Sequence, residues 1–301
     1  MPVLSGVSYL EMAMDHVLIR LALLVLLCGC GKDAGKSDPS SAGDANFRNA
    51  TESKAAKVRQ LIITLDRASR YGYGGDSLYA LTGNKSADEL VRMGMEALPY
   101  LDEAIGDTNL PAQCRINAMR VWCEIARQNK LDVQTKLCGL LLAWERDPSL
   151  RREVKGDFVL ASGAIRVIRE LEKVADNRSI PELLKAIEGM EATADRSYEF
   201  NRRTTPEEDN EISHARETLN GCARVLRKIG TPQSSGALDS LHRSNHSSTR
   251  IAAKRQRAEG MEPEAATTYL EQEIANEGNP LVRDELRLLL QGIRGTRAVP
   301  R

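Results

Sequence analysis

The chain has 301 residues, of which 42% are hydrophobic, 28% are charged and only 4% are aromatic. Its 42 basic residues equal its 42 acidic residues in number, so the net charge lends no support to nucleic-acid binding, and we expect no such partner. After residue 50, alanine, leucine, glutamate, arginine and lysine dominate, whereas runs of valine, isoleucine and threonine between turns are missing. These preferences indicate an all-α protein.

The N-terminal segment has the features of a secretion signal. After Arg20, residues 21–27 (LALLVLL) are apolar, but this run is far shorter than the roughly 20 residues that span a bilayer. Leu27-Cys28-Gly29-Cys30 follows and resembles the lipobox of bacterial lipoproteins. The resemblance implies that residues 1–29 are a signal peptide and that Cys30 is lipidated. We therefore expect the protein in the cell envelope, anchored by lipid to a bacterial membrane on the periplasmic side. The alternatives are an uncleaved membrane anchor and a chance apolar run.

A nucleotide-binding loop is a competing interpretation of the same region. Gly35-Lys36-Ser37 ends like a P-loop, but that motif needs its first glycine at position 30, where this chain has cysteine. The sequence that follows is rich in serine, glycine and aspartate and does not predict the helix that a P-loop opens. We interpret residues 30–53 as a flexible tether.

The folded body is predicted to begin with a capping helix and a loop, residues 54–85. From residue 86, apolar stripes at helical spacing come in pairs separated by glycine and proline, and the second helix of the second pair is predicted to begin near Phe158. Each helix is apolar on one side only, so each pair needs a similar neighbour stacked on it. We expect stacked pairs over residues 86–293 and a frayed tail at 294–301.

A proline register recurs at the start of two of these pairs. It runs through Leu98-Pro99-Tyr100-Leu101 and again through Ile180-Pro181-Glu182-Leu183, while a weaker copy near Thr231 has Gly236 in place of the proline. The register resembles the HEAT-repeat family, in particular the short variety first associated with phycobilisome lyases. The resemblance implies an α-solenoid of about four to five stacked helical hairpins, and its motifs indicate architecture only. Stacked hairpins make a long rigid surface suited to extended partners.

The third pair contains a predicted insertion at residues 191–210. Aromatic and arginine side chains are the types that most often anchor protein contacts. We therefore predict that the insertion binds an unidentified protein partner through Tyr198, Phe200, Arg202 and Arg203. The alternative is a charged, solvated surface loop.

Candidate catalytic and metal-binding residues are few. His242 and His246 have i,i+4 spacing, but no glutamate follows in the H-E-x-x-H pattern, so we predict no metal and no cofactor. His214 has no nucleophile signature near it and is predicted to be a solvated surface residue. The chain is therefore predicted to be a binding scaffold and not an enzyme. The alternatives are a lyase-related enzyme or enzyme subunit and a purely structural envelope spacer.

One dense basic cluster stands out near the C-terminus, formed by Arg243, Arg250, Lys254, Arg255 and Arg257. A solvated helix face is the preferred interpretation. Contact with anionic phospholipid beneath a tethered protein is the alternative.

Overall fold

The computed structural model describes residues 41–65, 84–150, 153–155, 158–160, 162–199 and 204–295. The chain divides into two units, Met1–Glu52 and Ser53–Arg301. Of the first unit, the structure describes only the start of one helix. Cys30 and the predicted signal peptide therefore lie outside the described residues, as do Phe200, Arg202 and Arg203.

Within the described ranges the fold is all-α apart from one short hairpin, which confirms the predicted class. The helices are α1 (Ser41–Thr64), α2 (Lys85–Met93), α3 (Leu98–Gly106), α4 (Ala112–Gln128), α5 (Val133–Glu145), α6 (Gly163–Leu171), α7 (Ile180–Asp195), α8 (Pro206–Ile229), α9 (Pro232–His242), α10 (Ser247–Glu259), α11 (Pro263–Asn276) and α12 (Pro280–Gly295). The hairpin pairs β1 (Glu153–Lys155) with β2 (Phe158–Leu160) in antiparallel register. None of the described helices is long and apolar enough to cross a membrane.

Consecutive helices pack in pairs along the chain. The pairs are α3 with α4, α5 with α6, α7 with α8, α9 with α10, and α11 with α12. The second helix of each pair also contacts the second helix of the next pair, from α4 through α6, α8 and α10 to α12. Each one-sided apolar stripe is thus covered by the neighbouring pair, as the sequence pattern requires.

The first and third pairs begin in the same way. Pro99 and Pro181 lie in the first turn of α3 and α7, where a missing amide hydrogen has no cost, and a 3₁₀ turn precedes each helix. The buried positions then recur at identical spacing. They are Ala97, Leu98, Leu101, Ala104 and Ile105 in the first pair, and Ser179, Ile180, Leu183, Ala186 and Ile187 in the third. The two pairs therefore share one packing register.

The predicted capping helix is present and packs on the body. Val58, Ile62 and Leu65 of this segment are buried in the main core. The Asn117 side chain of α4 donates to the Leu65 carbonyl oxygen at 2.9 Å and satisfies one of the carbonyls left unpaired near the end of α1. The helix begins at Ser41, however, so residues 41–53 of the predicted tether are helical. After Gly43, no glycine or proline interrupts the chain up to the end of α1, so the helix can extend through the three alanines of this stretch.

The predicted insertion is shorter than expected. Helix α7 continues to Asp195 and into a 3₁₀ turn that ends at Tyr198, and α8 already begins at Pro206. The early start has a local cause, since Thr205 and Glu208 form a capping box. The Glu208 amide donates to Thr205 Oγ1 at 3.2 Å, and the Thr205 amide donates to Glu208 Oε2 at 3.2 Å. Only residues 199–205 connect the two helices.

The second helix of the second pair also starts later than predicted. Phe158 belongs to strand β2, and α6 begins at Gly163 after Ser162, whose hydroxyl accepts a hydrogen bond from the Ile165 amide at 3.2 Å. Gly163 is needed there because a Cβ would lie 2.8 Å from the Trp144 ring.

Candidate protein-binding groove

Tyr198 is the one predicted contact residue within the described structure, and its hydroxyl is already bound. It donates to Glu285 Oε2 of α12 at 2.5 Å. The guanidinium of Arg216 on α8 lies over the tyrosine ring, 5.5 Å from its centre, and forms an ion pair with Glu285 at 2.6 Å. Burial, together with the Glu285 carboxylate, raises the pKa of Tyr198, so the phenol stays a hydrogen-bond donor.

Glu285 joins this cluster to a fourth helix. Arg255 of α10 forms an ion pair with its carboxylate at 3.2 Å. The polar cluster of Tyr198, Arg216, Arg255 and Glu285 therefore ties the turn that follows α7 to α8, α10 and α12. Sequence alone did not indicate Arg216 or Glu285, because neither belongs to a recognisable motif.

A groove of about 810 Å³ lies beside this cluster. We call it the C-terminal groove, and its apolar lining consists of Tyr198, Leu281, Leu288, Leu289 and Ile293. Leu288 is 66% exposed, more than any other large hydrophobic residue in the described part of the chain. Exposed apolar surface grouped in a concave site is typical of binding surfaces, whereas single exposed leucines are common.

The edge of the C-terminal groove is polar. Glu259 forms an ion pair with Arg227 at 3.8 Å, and Asp284 forms one with Arg287 at 2.7 Å. An apolar centre with a charged rim is the usual anatomy of a protein–protein contact.

Helix α12 supplies most of the groove because it is apolar on two faces. Val282, Leu286 and Leu290 are buried in the smaller core, as the predicted stripe requires. Leu281 and Leu288, seven residues apart, continue the apolar surface onto the outer side. The apolar spacing of Leu281 and Leu288 is visible in the sequence, but only the packing of α12 shows which face of the helix stays exposed.

His242 and His246 face different carboxylates. His242 Nε2 contacts Glu273 Oε1 at 3.1 Å, whereas His246 Nδ1 contacts Asp195 Oδ2 at 2.9 Å. No group of three or more potential metal ligands occurs among the residues that the structure describes. The prediction for His214 is wrong, since this residue is buried in α8. Helix α8 packs against α6, α7 and α10 and is covered on several sides.

The basic cluster near the C-terminus is largely neutralised by carboxylates. Ion pairs join Arg250 to Glu277, Lys254 to Glu273 and Glu277, Arg255 to Glu285, and Arg257 to Asp239. A solvated helix face is the wrong description of Lys254, which is buried. The paired charges leave this cluster little free charge for an anionic surface.

Comparison with protein-family models, with curated proteins and with solved structures gives no match, so these comparisons assign no family and no activity to the chain.

Proposed function

We propose that the protein is a HEAT-like α-solenoid, anchored by lipid at Cys30 in a bacterial cell envelope, that binds another protein. The solenoid is supported by the chain-ordered contacts between second helices and by the register that the first and third pairs share. The absence of a candidate catalytic constellation in the sequence favours binding over catalysis.

The C-terminal groove is the proposed contact site, and the exposure of Leu288 is the observation that carries the proposal. An apolar side chain of the partner would fill the space beside Leu288, while the rim charges of Asp284 and Glu259 would set its orientation. Phe200, Arg202 and Arg203, which lie outside the described residues, remain predicted contact residues from the sequence.

Photo-cross-linking should detect this contact. A benzophenone amino acid in place of Leu288 is expected to give one discrete heterologous adduct in intact cells, because the probe would sit inside the interface. The same probe at Ile63 is the matched control, since this residue is also apolar and 55% exposed but lies on α1. Adducts would be resolved by size and identified by mass spectrometry.

Two results would contradict the binding proposal. Equal labelling from positions 63 and 288 would indicate random collision. Labelling from neither position would favour the spacer alternative, in which the body separates other components without holding them.

A third result would change the identity of the partner. An adduct of twice the chain mass would show that the groove binds a second copy of this chain instead of a different protein.

Lipidation is tested separately. Intact mass and membrane fractionation of the full chain, produced in a bacterium, should show an acylated species that begins at Cys30 and sediments with membranes. The variant Cys30→Ala is expected to lose both properties, since the thiol is the proposed attachment point. A soluble, unprocessed wild-type chain would overturn the envelope location and leave the C-terminal groove proposal standing.

A further inference from the structure

A second groove, of about 740 Å³, runs along α2, α4 and α6. We call it the arginine groove. Its apolar lining consists of Ala87, Val91 and Val121, and four basic and three acidic side chains surround that surface. The volume is within the range of small-molecule sites, which are roughly 300–1,000 Å³.

Two of the three acidic side chains in the arginine groove are already bound. Glu170 accepts hydrogen bonds from Arg127 Nη1 at 2.7 Å and from Lys173 Nζ at 2.8 Å. Glu124 accepts one from Arg127 Nη2 at 3.0 Å. The third, Asp88, is exposed in the first turn of α2. Arg127 and Lys173 are therefore satisfied within the protein.

Arg120 is in the opposite situation. This residue of α4 lines the arginine groove and is only 8% exposed, yet no hydrogen bond or ion pair joins its guanidinium to any described residue. Burial lowers the pKa of Arg120, and the charge of Arg169 lowers it further, while the Glu170 carboxylate partly offsets both effects. No guanidinium nitrogen of Arg120 is among the fully buried side-chain atoms that lack a hydrogen-bond partner, so the charged end of this largely buried residue faces the open space of the groove. A largely buried arginine without a hydrogen-bond partner is rare.

Arg166, on the adjoining helix α6, does not line the arginine groove but adds a second positive charge near Arg120, offset only in part by Glu170. Its Nη1 atom is buried and has no hydrogen-bond partner in the described structure. Burial, with repulsion from Arg169 and Arg120, lowers the pKa of Arg166 to about 10. Arg166 and Arg169 are three residues apart on α6, which contacts α4, so the fold brings three positive charges together.

We propose that Arg120, which lines the arginine groove, is the centre of a binding site for an oxyanion, a phosphate or carboxylate group carried by a small molecule, and that the nearby charge of Arg166 strengthens the attraction. The planar guanidinium group can donate two parallel hydrogen bonds to either anion. The apolar part of the molecule would lie on Ala87, Val91 and Val121. This site is separate from the C-terminal groove and does not depend on the proposed scaffold function.

Small aromatic anions are suitable probes because they combine a charged group with an apolar body. Phenylphosphate and benzoate would be titrated separately into the full chain by calorimetry, with chloride at equal ionic strength as the reference. At least one of them is expected to bind and to raise the thermal midpoint, whereas chloride is expected to do neither. The probe that binds more tightly identifies the phosphate or the carboxylate as the group that the site recognises.

Variants test the assignment to Arg120. Arg120→Gln is expected to weaken binding at least tenfold. Arg287→Gln removes the same charge from an exposed position on α12 and should bind as the wild type does. Equal weakening of anion binding in both variants would indicate that binding depends only on the net charge of the protein, and it would overturn the site.

Arg166→Gln distinguishes a ligand site from a structural arginine. Because it removes a half-buried charge that is repelled by Arg120 and Arg169, it is expected to raise the thermal midpoint of the ligand-free protein, on the order of 2–4 °C, while weakening anion binding. A lower midpoint would show that Arg166 stabilises the fold by itself. That result, or the failure of both probes to bind the wild type, would overturn the proposal even if Arg120→Gln did not fold.

Discussion

Replacement of Lys254 by methionine is expected to destabilise the protein by about 3–5 kcal/mol. Lys254 is 4% exposed, and its ammonium group lies 2.9 Å from Glu277 and 3.1 Å from Glu273. Burial alone would raise the pKa of Glu277, but hydrogen bonds, first of all from Lys254, outweigh it and keep the carboxylate ionised. Without the lysine, Glu277 keeps the ion pair with Arg250 and the hydrogen bond from the Asn279 amide, both at 3.2 Å, but it loses the partner at Oε2.

The free energy of unfolding would be measured in urea with circular dichroism as the probe, and Arg257→Met is the matched control. Arg257 is on the same helix and forms an ion pair with Asp239, but the two side chains are 47% and 46% exposed. Such a pair contributes about 0–1 kcal/mol, so the control should unfold close to the wild type. Adding Glu277→Gln to Lys254→Met should recover part of the loss, because it removes the buried charge left behind. Equal losses for Lys254→Met and Arg257→Met would contradict the role of burial.

Helical periodicity made the all-α class and much of the packing predictable, because the signals are local. The register through Leu98, Leu101 and Pro99 could be read directly, and so could its repeat at Pro181. The capping box of Thr205 and Glu208 is a further local signal that the sequence displays. It moves the end of the predicted insertion from residue 210 to 205, whereas the continuation of α7 through residues 191–195 accounts for most of the remaining difference.

The remaining errors concern contacts between distant segments. The basic neighbours of Lys254 predict a solvated face, but its partners, Glu273 and Glu277, come from the next helical pair. For His214, the absence of a nucleophile signature says nothing about burial, and contacts of α8 with distant helices bury this residue. The Tyr198–Glu285 hydrogen bond and the proximity of Arg120 to Arg166 likewise join residues far apart in the chain, and single-sequence patterns carry no information on such pairs.

The buried carboxyl group of Glu145 should make the protein less stable as the pH rises from about 4.5 to about 7. Glu145 is 2% exposed, and its Oε2 atom has no hydrogen-bond partner in the described structure. It occupies space next to Gly189 of α7, where a Cβ would overlap Glu145 Oε1. Burial, opposed only by Arg146, raises the pKa of Glu145 from 4.5 to about 7.

The sign follows from the protons bound in each state. Between these two pKa values the folded protein retains the Glu145 proton and the unfolded chain has lost it, so the free energy of unfolding falls with increasing pH. The shift corresponds to about 3 kcal/mol in total, and the loss is complete above the folded-state pKa. Other carboxylates act in the opposite direction at lower pH. The useful quantity is therefore the difference in the free energy of unfolding between the wild type and a variant at each pH.

Glu145→Gln should isolate this effect in urea unfolding measured from pH 4.5 to 8. Since glutamine cannot ionise, the variant is expected to gain stability relative to the wild type as the pH rises, by up to about 3 kcal/mol at pH 8. Glu188→Gln, at an exposed position on α7, should follow the wild-type profile. A pH-independent difference between Glu145→Gln and the wild type would mean that the Glu145 carboxyl group ionises as readily in the folded protein as in the unfolded chain. A buried carboxyl group facing Gly189 without a hydrogen-bond partner could not do so.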